Sequence, residues 1–259
     1  MSIHATAVVH DSALVHPDAQ IGPYAVIGES VVIGAGTVVG AHAIVDGPTV
    51  LGEGNVVHPH VALGGPPQDL KYAGEPTRLV VGSRNVFREF MTAHRGTVTG
   101  HGETVIGDDN LFMAYSHVAH DCVVGSRTVF ANSASLSGHV VVEDDVVLGG
   151  FVAVRQFCRV GRFAYVGGMT PVNKDVLPFT WTSSDRDTKA YKINGVGLSR
   201  KGYSAERVAS LQKAYRLLHR NRHDHVAALT ALDALAETAP DVRVLLDFIT
   251  SSKAGIHGA

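Results

Sequence analysis

The sequence predicts a parallel β-helix followed by a small α-helical domain, and the first reason is a strict period of six. From Ile3 to Leu63 every sixth residue is aliphatic at eleven consecutive positions. Most of them are β-branched residues that favour strands. A period of six fits neither the 3.6-residue repeat of a helix nor the alternation of a single strand. It is typical of hexapeptide solenoids, in which three hexads form one triangular coil of about eighteen residues.

The second reason is that the hexads resume after two interruptions. Residues 64–80, rich in Pro and Gly, and residues 97–105 lack the period of six. Such long loops leaving a regular coil are usually functional, the alternative being a plain surface excursion. The hexads return at Val81, shift by one residue after the second loop, and run from Ile106 to Val172. About eight coils, roughly 40 Å tall, are expected at the spacing of β-strands, and we assign residues 1–178 to this domain.

The third reason is a change of period after Pro178. Ser204 is a suitable helix N-cap, and four apolar residues follow on one helical face: Val208, Leu211, Tyr215 and Leu218. Further helical patterns cover residues 224–237 and the segment after Pro240. We therefore expect residues 179–259 to form a linker and an α-helical C-terminal domain beside or above the prism.

Composition excludes several classes of protein. The net charge of −2 argues against a nucleic-acid-binding or membrane protein, and no apolar run approaches the ~20 residues of a membrane span. No secretory signal is evident. Cys122 and Cys158 are two coils apart, which is roughly 10 Å and too far for a disulfide. Reduced core thiols indicate a cytoplasmic protein.

The charge is nevertheless uneven. The segment from Arg186 to Arg222 contains ten Lys or Arg residues and only two acids, Asp187 and Glu206. Its net charge is therefore near +8. One interpretation is a solvated helical face. The other is a docking surface for an acidic partner or a phosphorylated ligand.

One edge of the prism gathers groups suited to catalysis. Hexads anchored at Val118, Leu136 and Val154 lie eighteen residues apart and so stack on one face. The edge beside them carries His117, His120 with Asp121, Gly138, His139, Arg155 and Gln156.

Two chemistries are open to this edge. A histidine is a natural general base near neutral pH, a neighbouring carboxylate would favour its imidazolium, and the Gly138 N–H could stabilise an oxyanion. The alternative is zinc bound by three histidines, although the spacing is not a clear ligand set. Since no Ser or Cys nucleophile stands in a recognisable motif, direct transfer is favoured over a covalent enzyme intermediate.

Several segments together resemble one known family. They are QDLKYAGEPTR at 68–78, HRGT at 94–97, HVAHDCVVG at 117–125, GHV at 138–140, QFC at 156–158 and VGG at 166–168. They resemble the UDP-N-acetylglucosamine 3-O-acyltransferases, which catalyse the first step of lipid A biosynthesis, and the likeness covers nearly the whole chain. It implies a left-handed parallel β-helix, a homotrimer and active sites between subunits.

The resemblance also implies residue roles. An (R)-3-hydroxyacyl group would pass from acyl carrier protein to the 3-hydroxyl of UDP-N-acetylglucosamine, with His120 as general base, Asp121 orienting it and Gly138 offering the oxyanion N–H. No metal or cofactor is implied. The substrate-binding residues would be Asp69, Lys71, His94, His117, His139, Gln156, Gly168, Asn194, Arg200 and Lys201. The acidic carrier protein would be the partner of the basic segment.

Three positions depart from the family pattern, and a fourth bears on the length of the acyl chain. Arg155 stands where a His is common and cannot act as a base. Lys201 replaces an Arg, which loses bidentate phosphate geometry, and Val196 replaces an acid near the nucleotide. Gly168 leaves room for an acyl chain of about fourteen carbons, because glycine has no side chain to shorten the groove. Acyl transfer to an amino UDP-sugar, a zinc-dependent hydratase and a purely structural solenoid are the alternatives.

Overall fold

The computed structural model describes residues 2–184, 188–221 and 223–258, so Arg186, Asp187 and Arg222 of the basic segment lie outside the described residues. Within them the hexads form short parallel strands. In chain order these are β1 (Ser2–Ile3), β2 (Val8–Val9), β3 (Leu14–Val15), β4 (Gln20–Ile21), β5 (Val26–Ile27), β6 (Val31–Ile33), β7 (Val38–Val39), β8 (Ile44–Val45), β9 (Thr49–Leu51), β10 (Val56–Val57), β11 (Ala62–Gly65), β12 (Arg78–Val81), β13 (Val86–Phe87), β14 (Thr92–His94), β15 (Glu103–Ile106), β16 (Leu111–Phe112), β17 (His117–Val118), β18 (Val123–Val124), β19 (Val129–Phe130), β20 (Ser135–Leu136), β21 (Val141–Val142), β22 (Val147–Leu148), β23 (Ala153–Val154), β24 (Arg159–Val160), β25 (Tyr165–Val166) and β26 (Pro171–Val172).

Every third strand belongs to the same sheet, so three parallel sheets form the faces of a prism. The first sheet begins with β1, β4 and β7, the second with β2, β5 and β8, and the third with β3, β6 and β9. The aliphatic anchor of each hexad points inward, and almost all anchors from Ile21 onward are buried in one continuous core. Burial of these side chains is the main stabilising contribution to the coils.

Strand register explains how the two loops are accommodated. Neighbouring coils normally pair residues eighteen apart, as in Ile3 with Ile21. Across the first loop Val57 pairs with Phe87, and across the second Phe87 pairs with Phe112. Each loop therefore leaves the coil and returns with the anchors in line. The loops are shorter than predicted, spanning 66–77 and 95–102, because β12 and β15 already pair side by side from Arg78 and Glu103.

The C-terminal part adds a hairpin that the sequence did not reveal. Strand β27 (Thr180–Ser184) extends the first sheet beyond β25 and pairs antiparallel with β28 (Thr188–Ile193). Four helices follow: α1 (Gly195–Arg200), α2 (Ala205–Arg220), α3 (His225–Ala236) and α4 (Pro240–Thr250).

The predicted N-cap of α2 is confirmed, since Ser204 Oγ accepts the Arg207 N–H. Leu211 and Leu218 are buried as the helical pattern required. Helices α2, α3 and α4 share a core with Leu177 at the end of the coils. None of the described helices has the length and apolar character needed to cross a membrane. Both cysteines are buried and free, as predicted.

Candidate active site

The predicted catalytic residues lie where the second sheet turns into the third. Strands β17, β20 and β23 pair in register, His117 with Ser135 and Ser135 with Ala153. The turns that follow them therefore stack as well. We call these turns, His120–Asp121, Gly138–His139 and Gln156–Phe157, the catalytic corner. Asp121, His139 and Phe157 adopt positive φ angles of 58°, 61° and 65°, which turns the chain sharply at each level.

His120 and Asp121 form the central pair. Their Nδ1 and Oδ2 atoms are 2.8 Å apart, the Asp121 side chain is fully buried, and the His120 side chain is 15% exposed. Because an ionised carboxylate only accepts hydrogen bonds, the proton is assigned to Nδ1. Nε2 then remains as the basic nitrogen, and it makes no hydrogen bond with the described residues. The pair can therefore accept a proton at a defined atom, Nε2, which lies beside Gly138.

The second loop supplies the other partners of Asp121. Thr97 donates its N–H to Oδ1 over 3.0 Å and its hydroxyl to Oδ2 over 2.7 Å, and the His101 N–H donates to Oδ1 over 2.9 Å. Burial raises the pKa of the Asp121 carboxyl, but the hydrogen bonds from Thr97, His120 and His101 outweigh it and lower the pKa below its usual value. Asp121 thus stays ionised beside His120. Gly100 is required here, because a Cβ would overlap the carboxylate.

Gly138 lies directly against the His120 ring, as the eighteen-residue spacing predicts. A Cβ at this position would overlap the imidazole. At the same hexad position on another corner, where the third sheet turns into the first, the N–H of Ser83 or Ser126 donates to an aspartate of the next coil. The Gly138 N–H has no such acceptor among the described residues, although Gly138 is buried. It is therefore available to a ligand oxygen beside His120.

His139 packs across the same corner. Its Nε2 lies 3.8 Å from Asp121 Oδ2, its ring meets His120 edge-on at 5.1 Å and stacks on Phe157 at 4.7 Å. Burial lowers the pKa of His139, and Asp121 and Asp69 oppose that shift only in part. Asp69 belongs to the first loop, where its Oδ1 accepts the Lys71 N–H. The Lys71 side chain is exposed.

His94 and His117 form a neutral pair below His120. Their rings meet edge-on at 5.0 Å, and a 2.7 Å hydrogen bond joins His117 Nδ1 to Thr92 Oγ1. Burial lowers the pKa of His117 to about 4, helped by the nearby His94 and His120. Burial likewise lowers the pKa of His94. These rings are suited to hydrogen bonding rather than to carrying charge.

Gln156 and Arg155 lie at the next level and open onto a cavity of about 660 Å³ that His139 also lines. The predicted stack of His117, His120, Gly138, His139, Arg155 and Gln156 is thus brought together by the fold. His94, the last residue of β14, joins it through its contact with His117, and Asp69 lies in the first loop.

Four predicted binding residues do not reach the catalytic corner of the same chain. Gly168 follows β25, where the first sheet turns into the second. Asn194 caps α1 through the Gly197 N–H and donates to the Phe163 carbonyl. Lys201 Nζ lies 2.6 Å from Asp145 Oδ1. For Gly168 the reason is that hexads six residues apart occupy different corners of the prism. Asn194 and Lys201 follow the last hexad and contact another corner.

These contacts place Asn194 and Lys201 against the corner where the third sheet turns into the first. Arg200, beside them at the end of α1, is exposed. Within one chain the amide of Asn194 and the ammonium of Lys201 are already engaged in local contacts. A role for any of the four at His120 requires a second subunit.

The zinc alternative can be tested on the donor set. His120, Asp121 and His139 offer atoms within 4.8 Å of one another. The oxygens of Asp121, however, already accept hydrogen bonds from Thr97, His101 and His120. The arrangement fits a histidine base held by a carboxylate better than a metal ion that needs free ligand atoms.

Sequence reasoning missed Thr97, His101 and Phe157. Thr97 ends the HRGT segment, and Phe157 occupies the same coil position as His139 eighteen residues earlier, so both had a signal. His101 lies in a loop without periodicity, and nothing in the pattern marks it.

A β-helix of hexapeptides with a His–Asp pair on its corner defines an acyltransferase of the hexapeptide class. The family described as bacterial transferase hexapeptide (six repeats) matches residues 6–41 and 103–138. The second domain of UDP N-acetylglucosamine O-acyltransferase matches residues 175–257. The chain therefore belongs to the UDP-N-acetylglucosamine O-acyltransferase family, as its relatives establish.

The acyl-[acyl-carrier-protein]–UDP-N-acetylglucosamine O-acyltransferase of Alkalilimnicola ehrlichii is 50% identical over 195 residues, which cover 75% of each chain. The solved Moraxella catarrhalis UDP-N-acetylglucosamine O-acyltransferase is 41% identical, covers 99% of this chain and 100% of its own, and gives a TM-score of 0.95. The Francisella novicida UDP-N-acetylglucosamine acyltransferase is 34% identical, and the match covers 98% of this chain and 93% of that one. Its TM-score is also 0.95. The predicted family and the left-handed parallel β-helix with a small helical C-terminal region are confirmed.

Proposed function

We propose that this chain transfers a 3-hydroxyacyl group from acyl carrier protein to the 3-hydroxyl of UDP-N-acetylglucosamine, the first step of lipid A biosynthesis, with His120 as the general base. The observation that carries the proposal is the buried Asp121 carboxylate, which holds His120 by Nδ1 and leaves Nε2 as the basic atom. The names of the relatives supply the acyl donor and the sugar acceptor.

The reaction follows from this geometry. His120 Nε2 takes the proton of the sugar 3-hydroxyl as the oxygen attacks the thioester carbonyl carbon. Asp121 stabilises the imidazolium that forms, and the Gly138 N–H donates to the oxyanion. When the tetrahedral intermediate collapses, the C–S bond breaks and His120 returns the proton to the leaving thiolate. No covalent enzyme intermediate is needed.

The assembly we propose is a homotrimer with sites between subunits. Gly168, Asn194, Arg200 and Lys201 lie on corners other than that of His120, so a neighbouring chain would have to supply them to a shared cleft. The absence of a side chain at Gly168 supports an acyl chain of about fourteen carbons, because glycine leaves the groove open. Two free buried thiols support a cytoplasmic location.

The acidic carrier protein would dock on α2. Lys213, Arg216 and Arg220 are exposed there and make no ion pair with the described residues. By contrast, Arg207 pairs with Asp241, and Lys192 lies over Trp181. The unpaired cations form a surface that attracts a negatively charged partner over a distance of about one Debye length.

A product assay tests this proposal. Purified protein is incubated with 3-hydroxyacyl carrier proteins of different chain length and with UDP-N-acetylglucosamine or the analogue bearing an amine at position 3, and products are identified by mass. We expect one dominant 3-O-acyl product from the hydroxyl sugar. Product from the amino sugar alone would replace the proposal by N-acyl transfer, and no product from any pair would reject acyl transfer to these sugars.

A further inference from the structure

The cavity beside His139 and Gln156 has one wall that comes from the end of the chain. Residues 251–258, which we call the C-terminal strap, follow α4 and cross back over the last coil. Lys253 and Ala254 of the strap line the cavity together with Arg155, Gln156 and residues of the second loop. The strap therefore belongs to the surroundings of the active site, although it lies more than a hundred residues from His120 in sequence.

The strap is fixed on both sides of Lys253. Before it, Ser252 Oγ donates to the buried Asp175 carboxylate over 2.8 Å. After it, Asp175 N–H donates to the Gly255 carbonyl and His257 N–H donates to the Asp175 carbonyl, at 2.8 and 2.9 Å. The backbone at Lys253 is thus held against the last coil, and its position beside the cavity is a property of the fold.

The buried ring of His257 makes further hydrogen bonds between the strap and the last coil. Its Nε2 accepts the N–H groups of Asn173 and Lys174, at 3.3 and 3.2 Å, and its Nδ1 lies 3.1 Å from the Thr188 carbonyl oxygen. The proton is assigned to Nδ1, since a carbonyl can only accept. Both nitrogens are then used, and the ring anchors the strap to the coil that carries Asn173.

The charged side chains that line the cavity are all cationic. They are Arg155, Arg159 and Lys253, accompanied by His101, His139 and the Cys158 thiol, and none of the described lining residues is an Asp or Glu.

Only two of these cations are free to meet a ligand. The Arg159 guanidinium is engaged by Asp175 and lies over the Phe248 ring. Arg155 and Lys253 make no ion pair or hydrogen bond through their side chains with the described residues. Two unpaired cations around a cavity without a carboxylate favour an anionic ligand.

We propose that Arg155 and Lys253 form a phosphate-binding subsite that positions a substrate while its reacting group lies at His120. The inference rests on the proposed function, in which both substrates carry phosphate. One is the phosphodiester of the carrier's pantetheine arm, and the other is the diphosphate of the UDP-sugar. Lys253 is a positioning residue in this scheme, since it binds a part of the substrate remote from the reacting atoms.

The test compares Lys253→Met with Lys174→Met. Lys174 is also exposed and stands at the same level of the prism beside the strap, but it does not line the cavity, so it is a matched control. We expect Lys253→Met to raise KM for one phosphate-bearing substrate roughly tenfold, the worth of one charge-assisted hydrogen bond in a partly solvated site. The kcat should stay near the wild-type value, Lys253→Arg should retain most of the affinity, and Lys174→Met should behave as wild type.

The substrate affected identifies the phosphate. A higher KM for the acyl carrier assigns the subsite to the pantetheine arm, and a higher KM for UDP-N-acetylglucosamine assigns it to the diphosphate. Unchanged KM for both substrates in Lys253→Met and in Arg155→Met would overturn the proposal.

Calorimetric titration with UDP-N-acetylglucosamine and with 4′-phosphopantetheine separates this proposal from the proposed function, because it needs no turnover. If wild-type protein forms no acyl product yet binds one of these probes and Lys253→Met binds it about tenfold more weakly, the subsite stands and the proposed reaction fails. If Lys253→Met binds both probes as tightly as wild type does, the subsite fails whatever the reaction.

Discussion

Two buried aspartates at the same end of the prism have opposite consequences. Asp121 lies in a turn of the coil and Asp175 in a β-bridge with Ile256, yet both are almost fully buried and both accept hydrogen bonds from distant segments. Asp121 is held by the second loop and faces His120, whereas Asp175 is held by the C-terminal strap and faces Arg159. The difference lies in the partner, since an imidazole can exchange a proton near neutral pH and a guanidinium cannot.

The surroundings of His120 and Arg159, the side chains that face the two carboxylates, differ as well. His120 keeps one nitrogen without a hydrogen-bond partner among the described residues, and the neighbouring His139 lines the cavity. Arg159 donates through Nε, Nη1 and Nη2 to Asp175, to Ser251 and to the Phe248 carbonyl. One carboxylate therefore holds an imidazole that can accept a proton, and the other joins the last coils to helix α4. Burial of a carboxylate therefore does not by itself mark a catalytic group.

The largest expected effect comes from Asp121→Asn, which tests the catalytic half of the comparison. Asn tolerates the positive φ at this position but cannot stabilise the His120 imidazolium. We expect kcat to fall by about 10²- to 10³-fold, measured with folded protein well below its melting temperature. A kcat within a few-fold of wild type would show that Asp121 is only structural.

Asp175→Asn tests the structural half. It leaves Arg159 without its countercharge, and because that guanidinium is about a quarter exposed we discount the usual cost of a broken buried pair to about 2–3 kcal/mol of unfolding free energy. Denaturant unfolding measures this loss. The kcat per folded molecule should change little. A large loss of kcat without a loss of stability would reverse the roles of the two aspartates.

A smaller effect is expected from pH, through His117. Burial lowers the pKa of His117 to about 4, below the ordinary value of about 6.5 in the unfolded chain. Its stabilising contribution is therefore complete above pH 6.5 and is lost as the pH falls toward 4, because the unfolded chain binds the proton first. In His117→Gln the unfolding free energy should fall less steeply over this range.

Two further observations sharpen the pH experiment. His94 and His139 have pKa values shifted in the same direction, so some slope remains in the variant. His16→Gln, an exposed histidine of the early coils, is the control and should keep the wild-type slope. Equal slopes in His117→Gln and wild type would contradict the assignment.

The smallest effect is expected on the surface of α2. Reversing the charges of Lys213, Arg216 and Arg220 to Glu should raise KM for the acyl carrier several-fold at low salt, and the effect should fade as ionic strength rises. KM for UDP-N-acetylglucosamine serves as the internal control and should not change. If KM for the carrier is insensitive to the reversal, the basic surface serves another purpose.

The sequence predicts the stacking around His120, but it does not predict the partners of the two buried aspartates, and the reason is physical. His120, Gly138 and His139 could be placed together because the eighteen-residue coil fixes which residues stack. The hydrogen bonds from Thr97 and His101 to Asp121, and from Ser252 to Asp175, could not be predicted. They come from segments without periodicity, whose paths are set by tertiary contacts.

The same distinction explains the other misses. The β27–β28 hairpin and the Lys201–Asp145 ion pair depend on how the chain folds back after Pro178, which no repeat encodes. The roles of Asn194, Arg200 and Lys201, by contrast, come from a resemblance that places the active sites between subunits, so their separation from His120 within one chain does not test that prediction.

The most direct test of the account is the turnover of His120→Ala with an acyl carrier thioester and UDP-N-acetylglucosamine. We expect kcat to fall by about 10²- to 10⁴-fold, the usual worth of general-base catalysis, while the thermal unfolding midpoint stays close to that of wild type. The control is His42→Ala, a histidine stacked between Tyr24 and His60 on another corner, which should retain full turnover. Near-wild-type turnover in His120→Ala would contradict the assignment of His120 as the base.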